Sequence, residues 1–80
     1  MKLPRDLDGE KLAKLPRKYG YEVTRQTGSH MRLTIHINGE HHITIPKHRP
    51  LKPGTLNSIL KDVAEHLRIS KRELMKELIG

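Results

Sequence analysis

The sequence predicts an α+β fold: a three-stranded antiparallel sheet with one apolar face, covered by helices from both ends of the chain. Three patterns predict it. Residues 30–37 and 41–45 alternate apolar and polar side chains, residues 56–67 repeat apolar side chains at helical spacing, and a shorter helical pattern precedes the strands. A sheet with one apolar face needs one layer of helices to bury it.

Asp6-Leu7-Asp8-Gly9-Glu10 opens the first helix. Asp8 can accept from the first free amides, and Glu10 places negative charge at the positive end of the helix dipole. Leu12, Leu15 and Tyr19 then share a face, while Lys11, Lys14, Arg17 and Lys18 point elsewhere. Gly20 stands where a left-handed residue ends a helix. Pro16 cannot donate to the carbonyl of Leu12 and costs ~3 kcal/mol in a helix interior, so this helix is expected to kink or end near Leu15.

Tyr21, Val23 and Arg25 alternate with Glu22, Thr24 and Gln26 in the first strand. The second sets Met31, Leu33, Ile35 and Ile37 against His30, Arg32, Thr34 and His36. In the third, Ile43 and Ile45 oppose His42 and Thr44, and Pro46 ends the strand by removing a ladder donor. Asn38-Gly39 suggests a two-residue hairpin turn. That register would put Ile43 and Ile45 on the polar face, so core burial demands a loop of odd length, for instance residues 37–39 with Gly39 left-handed beside a bulge.

Residues 47–54 form a basic loop with two prolines that leads into a helix from Thr55 to Leu67. Leu56, Ile59, Leu60, Val63 and Leu67 make its core-facing stripe. Pro53 suits a first turn, and the free amides there, with Lys47, Arg49 and Lys52, suggest a phosphate seat. Ser70 and Glu73 form a capping box, with Ile69 and Leu74 at the staple positions, so a short C-terminal helix to about Leu78 follows.

Eighty residues make one domain, 1–80, with a thin core. The chain has no cysteine, which rules out a disulfide framework and a Cys-based zinc site. No run reaches the ~20 apolar residues of a membrane helix, so the expected location is cytoplasmic, with no membrane partner. A net charge of +7 and a pI of about 10.1 favour phosphate-rich partners. With both aromatic residues being Tyr, base stacking on aromatic platforms is a poor model for binding.

Arg25-Gln26-Thr27-Gly28-Ser29-His30 carries the chemistry. Gly28 permits a tight reversal or the close approach of a ligand, and His30 is of the side-chain type that exchanges protons near neutral pH. RNA cleavage asks for little more. The ribose 2′-hydroxyl already adjoins the scissile phosphate; the protein must supply a base, cations for the phosphorane and a proton for the leaving oxygen. His30 can serve as base or acid, and Arg25, Lys47 or Lys52 can supply charge. A second acid is not evident. His36, His41, His42 and His48 crowd one end of the hairpin, but His41 and His42 point to opposite faces. No carboxylate or third ligand joins His36 and His42 at a recognisable spacing, so no metal site is expected.

The ordered segments Asp8-Gly9-Glu10, Gly20-Tyr21, Arg25 to His30, Ile43-Thr44-Ile45-Pro46 leading to His48, and Lys52-Pro53-Gly54-Thr55-Leu56 closely resemble the HicA, or YcfA-like, family of toxin ribonucleases, over residues 3–68. The resemblance implies a double-stranded-RNA-binding-like α-β-β-β-α fold and metal-independent cleavage of mRNA without a cofactor. It also implies inhibition by a HicB-type antitoxin. The family's catalytic histidine falls on His30 and its adjacent glycine on Gly28. Arg25, Gly28, Ser29, Lys47, Arg49 and Lys52 are the expected RNA-binding residues. Pro16 and the capped last helix depart from the family pattern. A binding module of the same fold that does not cleave is the principal alternative, and a small DNA-binding domain a second.

Overall fold

The computed structural model describes residues 7–79; Asp6 and the start of the family resemblance at residues 3–6 lie outside it. In chain order the elements are α1 (Gly9–Lys18), β1 (Glu22–Gln26), β2 (His30–Ile35), β3 (His41–Pro46), α2 (Pro53–Leu67) and α3 (Lys71–Ile79). The strands form one antiparallel sheet in the order β1-β2-β3. This is the α-β-β-β-α layout expected from the sequence, with one helix added.

The hairpin register follows the apolar parity. Leu33 faces Ile43 and Met31 faces Ile45, with all four side chains buried. Residues 36–40 separate the last paired residues, Ile35 and His41, so the loop is odd in length. Its reversal uses two left-handed residues, Asn38 (φ 61°) and Gly39 (φ 94°). The strand residues join Leu12, Leu15, Leu56, Leu60, Val63 and Leu74 in one buried cluster.

Both longer helices lie against β3. Asp8 caps α1 as expected, its carboxylate accepting from the Lys11 amide at 2.7 Å. Ser70 Oγ accepts from the Glu73 amide at 3.0 Å to start α3, which packs on α1 and α2 and buries Leu74 and Met75. Among the described residues no helix is long and apolar enough to cross a membrane.

Three details differ from the sequence reading. The first helix does not stop at Leu15 but runs to Lys18 with Pro16 inside it. Pro16 lies in the last turns, its ring is buried, and its carbonyl accepts from the Tyr19 and Tyr21 amides at 3.0 and 3.2 Å, which offsets the bond it cannot donate. The second concerns β1, whose five residues are all exposed. The helices cover β2 and β3 and leave an open groove of about 650 Å³ between α1 and β1, bordered by Ala13, Val23, Gln26 and Met31.

Third, β1 does not alternate simply. Val23 pairs with Leu33, but Arg25 pairs with Arg32, so Thr24 is an extra residue in the strand. Such a bulge shifts every later side chain to the other face. Arg25 therefore leaves the side of Val23 and joins the open face, while Gln26 turns towards the α1 groove. The Thr24 hydroxyl secures the bulge through Thr34 Oγ1 at 2.9 Å and the Arg32 carbonyl at 3.4 Å.

At the hairpin end of the sheet, four residues from three separate stretches of the chain meet. The Asp62 carboxylate lies 3.1 Å from His41 Nε2, so in the neutral ring Nε2–H donates to it and Nδ1 accepts from the Tyr21 hydroxyl at 2.7 Å. The His66 ring stacks on His41 at a 4.5 Å centroid distance and donates from Nε2–H to the Ile37 carbonyl at 2.8 Å. Burial, helped by the negative charge of Asp62, pushes the Tyr21 hydroxyl up from 10.0 to about 12. Below pH 10 both folded and unfolded chains keep this proton; between about 10 and about 12 the unfolded chain loses it first, so stability falls as pH rises. At about 1.4 kcal/mol per unit, the loss should approach 2–3 kcal/mol. Tyr21→Phe is expected to cost about 1 kcal/mol at neutral pH, by stripping His41 Nδ1 of its donor, and to flatten this alkaline loss. Denaturant titrations of both proteins at a series of pH values check it.

Candidate active site

The turn before His30 is built by a threonine. Thr27 Oγ1 accepts from the Ser29 and His30 amides at 3.3 and 3.0 Å, and the Thr27 amide donates to the His30 carbonyl at 2.9 Å. Gly28 is not left-handed, unlike Gly20 and Gly39, and a Cβ placed on it would meet nothing within 4 Å. The tight-reversal reason for that glycine therefore falls, because the Thr27 hydroxyl closes the turn. What a glycine still provides there is a bare surface.

His30 begins β2 on the open face and is exposed. Ser29 Oγ lies 2.8 Å from its Nδ1. When Nδ1–H donates to that oxygen, the lone pair of Nε2 is left to accept a proton; when the hydroxyl donates instead, Nε2 carries the proton. Either way the ring is oriented by its neighbour, and among the described residues Nε2 has no protein partner. The Ser29 carbonyl accepts from the Lys47 amide at 2.8 Å, and His30 pairs with Pro46, so the turn is fastened to the end of β3.

Ser29, His30 and Lys47 are thus held together, with Gly28 beside them. Arg25 shares the open face with His30 only because of the bulge at Thr24. Arg49 is turned to α1, its Nε 3.6 Å from the buried Asp8 carboxylate. Lys52 is the N-cap of α2; its side chain makes no capping bond, and no acidic residue stands in the first turn. No hydrogen bond or ion pair ties Arg49 or Lys52 to His30. Sequence reading passed over Arg32, which lies two residues beyond His30 on the same face, between Arg25 and Thr44. Its strand parity with His30 was the signal.

Among the described residues no group of three or more His, Cys, Asp or Glu side chains is placed to hold a metal ion. A carboxylate does accompany His36 and His42, against the sequence reading: Glu40 lies 3.7 Å from one and 3.2 Å from the other. The hairpin brings Glu40 back beside both, and His42 Nδ1 is engaged by Thr34 Oγ1 at 2.7 Å.

The layout is that of a small basic α+β protein with an oriented, exposed imidazole at the start of its middle strand. The family model for the HicA toxin of bacterial toxin-antitoxin systems matches residues 9–64. That stretch begins at the first residue of α1, takes in all three strands and the turn at His30, and ends inside α2; α3 lies beyond it. The chain belongs to the HicA toxin family. Searches of curated proteins and of solved structures returned no match.

Proposed function

We propose that this toxin is a metal-independent endoribonuclease that cleaves mRNA with His30, that the whole chain acts as one cytoplasmic domain, and that a HicB-type antitoxin inhibits it. The observation that carries the reading is the His30 ring, exposed on the open sheet face and oriented through Nδ1 by Ser29. Family membership supports the toxin role.

With Nδ1–H donating to Ser29 Oγ, Nε2 is the base that takes the proton of a ribose 2′-hydroxyl. The 2′-oxygen then attacks the adjacent phosphorus and the 5′-oxygen departs, taking up a proton. Arginine and lysine side chains stabilise the charge that gathers on the phosphoryl oxygens. Gly28 leaves room for the backbone of the RNA to come close.

Neutralising Lys47 and Lys52 together is expected to weaken RNA binding and to lower the magnitude of the log–log salt slope by about 0.7 for each phosphate no longer neutralised. Arg49 should add less, since Asp8 already offsets its charge. Binding titrations over a range of salt concentrations check both statements. The reading itself is tested by inducing the wild type and His30→Ala in a host without an antitoxin. Wild type should arrest growth and the variant should not; arrest by both, or by neither, overturns it.

A further inference from the structure

The open face carries two arginines set directly opposite each other. Arg25 on β1 pairs with Arg32 on β2, and both are exposed. Like charges directly opposite in a sheet are destabilising. Among the described residues neither guanidinium has an ion-pair partner to relieve this pair. Thr44, across from Arg32 on β3, is uncharged, and Glu22, the carboxylate on β1, stands opposite Thr34.

The juxtaposition also depends on a special backbone feature. Without the extra residue at Thr24, Arg25 would keep the parity of Val23 and point to the helix side. Bulges re-aim side chains in this way beside functional sites. The face so made is next to the imidazole: His30 and Arg32 are two residues apart on one side of β2, about 7 Å along the strand. Guanidinium forks match the oxygens of a phosphodiester bidentately, and two of them favour an anion that presents two oxygens.

We propose that Arg25 and Arg32 form a two-guanidinium seat for the RNA phosphodiester on which His30 acts, created by the Thr24 bulge. The inference rests on the ribonuclease reading above and adds to it the group that holds the phosphate. Bound phosphate removes the repulsion between the two side chains, so the pair costs stability in the free protein and returns it on binding.

The test uses the full chain in a His30→Ala background, so that RNA is bound and not cut. Arg25→Gln, Arg32→Gln and the double variant are titrated with labelled oligouridine at several salt concentrations, and each is melted. Each single change should weaken binding nearly as much as both, because a two-pronged seat fails when either prong goes. The magnitude of the salt slope should fall by about 0.7 for each phosphate released from its guanidinium, and the melting temperature should stay level or rise. Unchanged affinity and slope in the double variant would overturn the seat, as would a melting temperature lowered in both single variants. So would full RNA affinity combined with lost binding to a co-expressed antitoxin, which would assign the pair to a protein partner.

The two readings fail separately. If the wild type cleaves RNA and the double variant binds as its parent does, the seat is wrong and the ribonuclease reading survives. If the double variant loses binding and His30→Ala still cleaves, the seat stands and the imidazole mechanism falls.

Discussion

His30→Ala is expected to reduce RNA cleavage by roughly 10²–10⁴-fold while the protein folds and binds RNA almost as before. The ring is exposed at the start of β2, outside the buried cluster, so its loss should change stability by no more than ~0.5 kcal/mol. Its neutral form contributes little to phosphate attraction, which belongs to the lysines and arginines. The one bond it gives up, to Ser29 Oγ, is at the surface, where water replaces it. Single-turnover cleavage, a denaturant melt and an RNA titration of the variant separate the three effects. A variant that keeps most of its rate would exclude the imidazole as the proton-transfer group. One that unfolds would show the ring to be structural.

Gly9→Ala should destabilise the fold more than any of the other substitutions. The first residue of α1 presses against the end of β3, where an added Cβ would stand 1.9 Å from the Pro46 carbonyl oxygen and 2.9 Å from its carbon. These are backbone atoms, and they cannot swing aside as a side chain does. The Gly9 amide donates to the His48 carbonyl at 3.1 Å, so the helix cannot back away without losing that bond. Overpacking of this kind should cost about 3 kcal/mol, a large part of the roughly 5–15 kcal/mol that holds a domain together. Function should suffer too, because the strand end that must move carries Lys47, whose amide holds the Ser29 carbonyl. Gly54→Ala is the control, since a Cβ there meets nothing within 4 Å. Equal midpoints for the two variants in urea would contradict the close packing of α1 on β3.

Much of the fold was legible because it rests on periodicity. Leu33 and Ile35 could share a face with Ile43 and Ile45 only if the hairpin loop were odd, and burial overrode the pull of Asn38-Gly39 towards a two-residue turn. The capping residues Asp8 and Ser70 act within one helical turn, so sequence contains both partners. The edge strand was not legible, since five exposed residues carry no burial pattern to fix their register, and the bulge at Thr24 depends on Thr34, ten positions away. Pro16 points to an early end of α1 because the cost of its missing amide is local and visible, whereas the burial of its ring inside a helix that runs to Lys18 is tertiary. At the candidate site, position and parity marked His30, but the Thr27 hydroxyl that closes the turn and the pairing of Arg25 with Arg32 needed the folded sheet. The Tyr21–His41–Asp62–His66 cluster joins the start of β1 to β3 and α2 through side-chain contacts, and no sequence spacing announces it.

The most direct test of the proposed chemistry is to identify the ends left when purified wild-type protein cuts an RNA in excess chelator. Attack by the 2′-oxygen, with the 5′-oxygen leaving, must produce a 2′,3′-cyclic phosphate on one fragment and a 5′-hydroxyl on the other. Those ends should appear at an undiminished rate with the wild type and form roughly 10²–10⁴-fold more slowly with His30→Ala. Fragments bearing a 5′-phosphate and a 3′-hydroxyl, or cleavage that stops when chelator is added, would contradict an imidazole-centred, metal-independent mechanism.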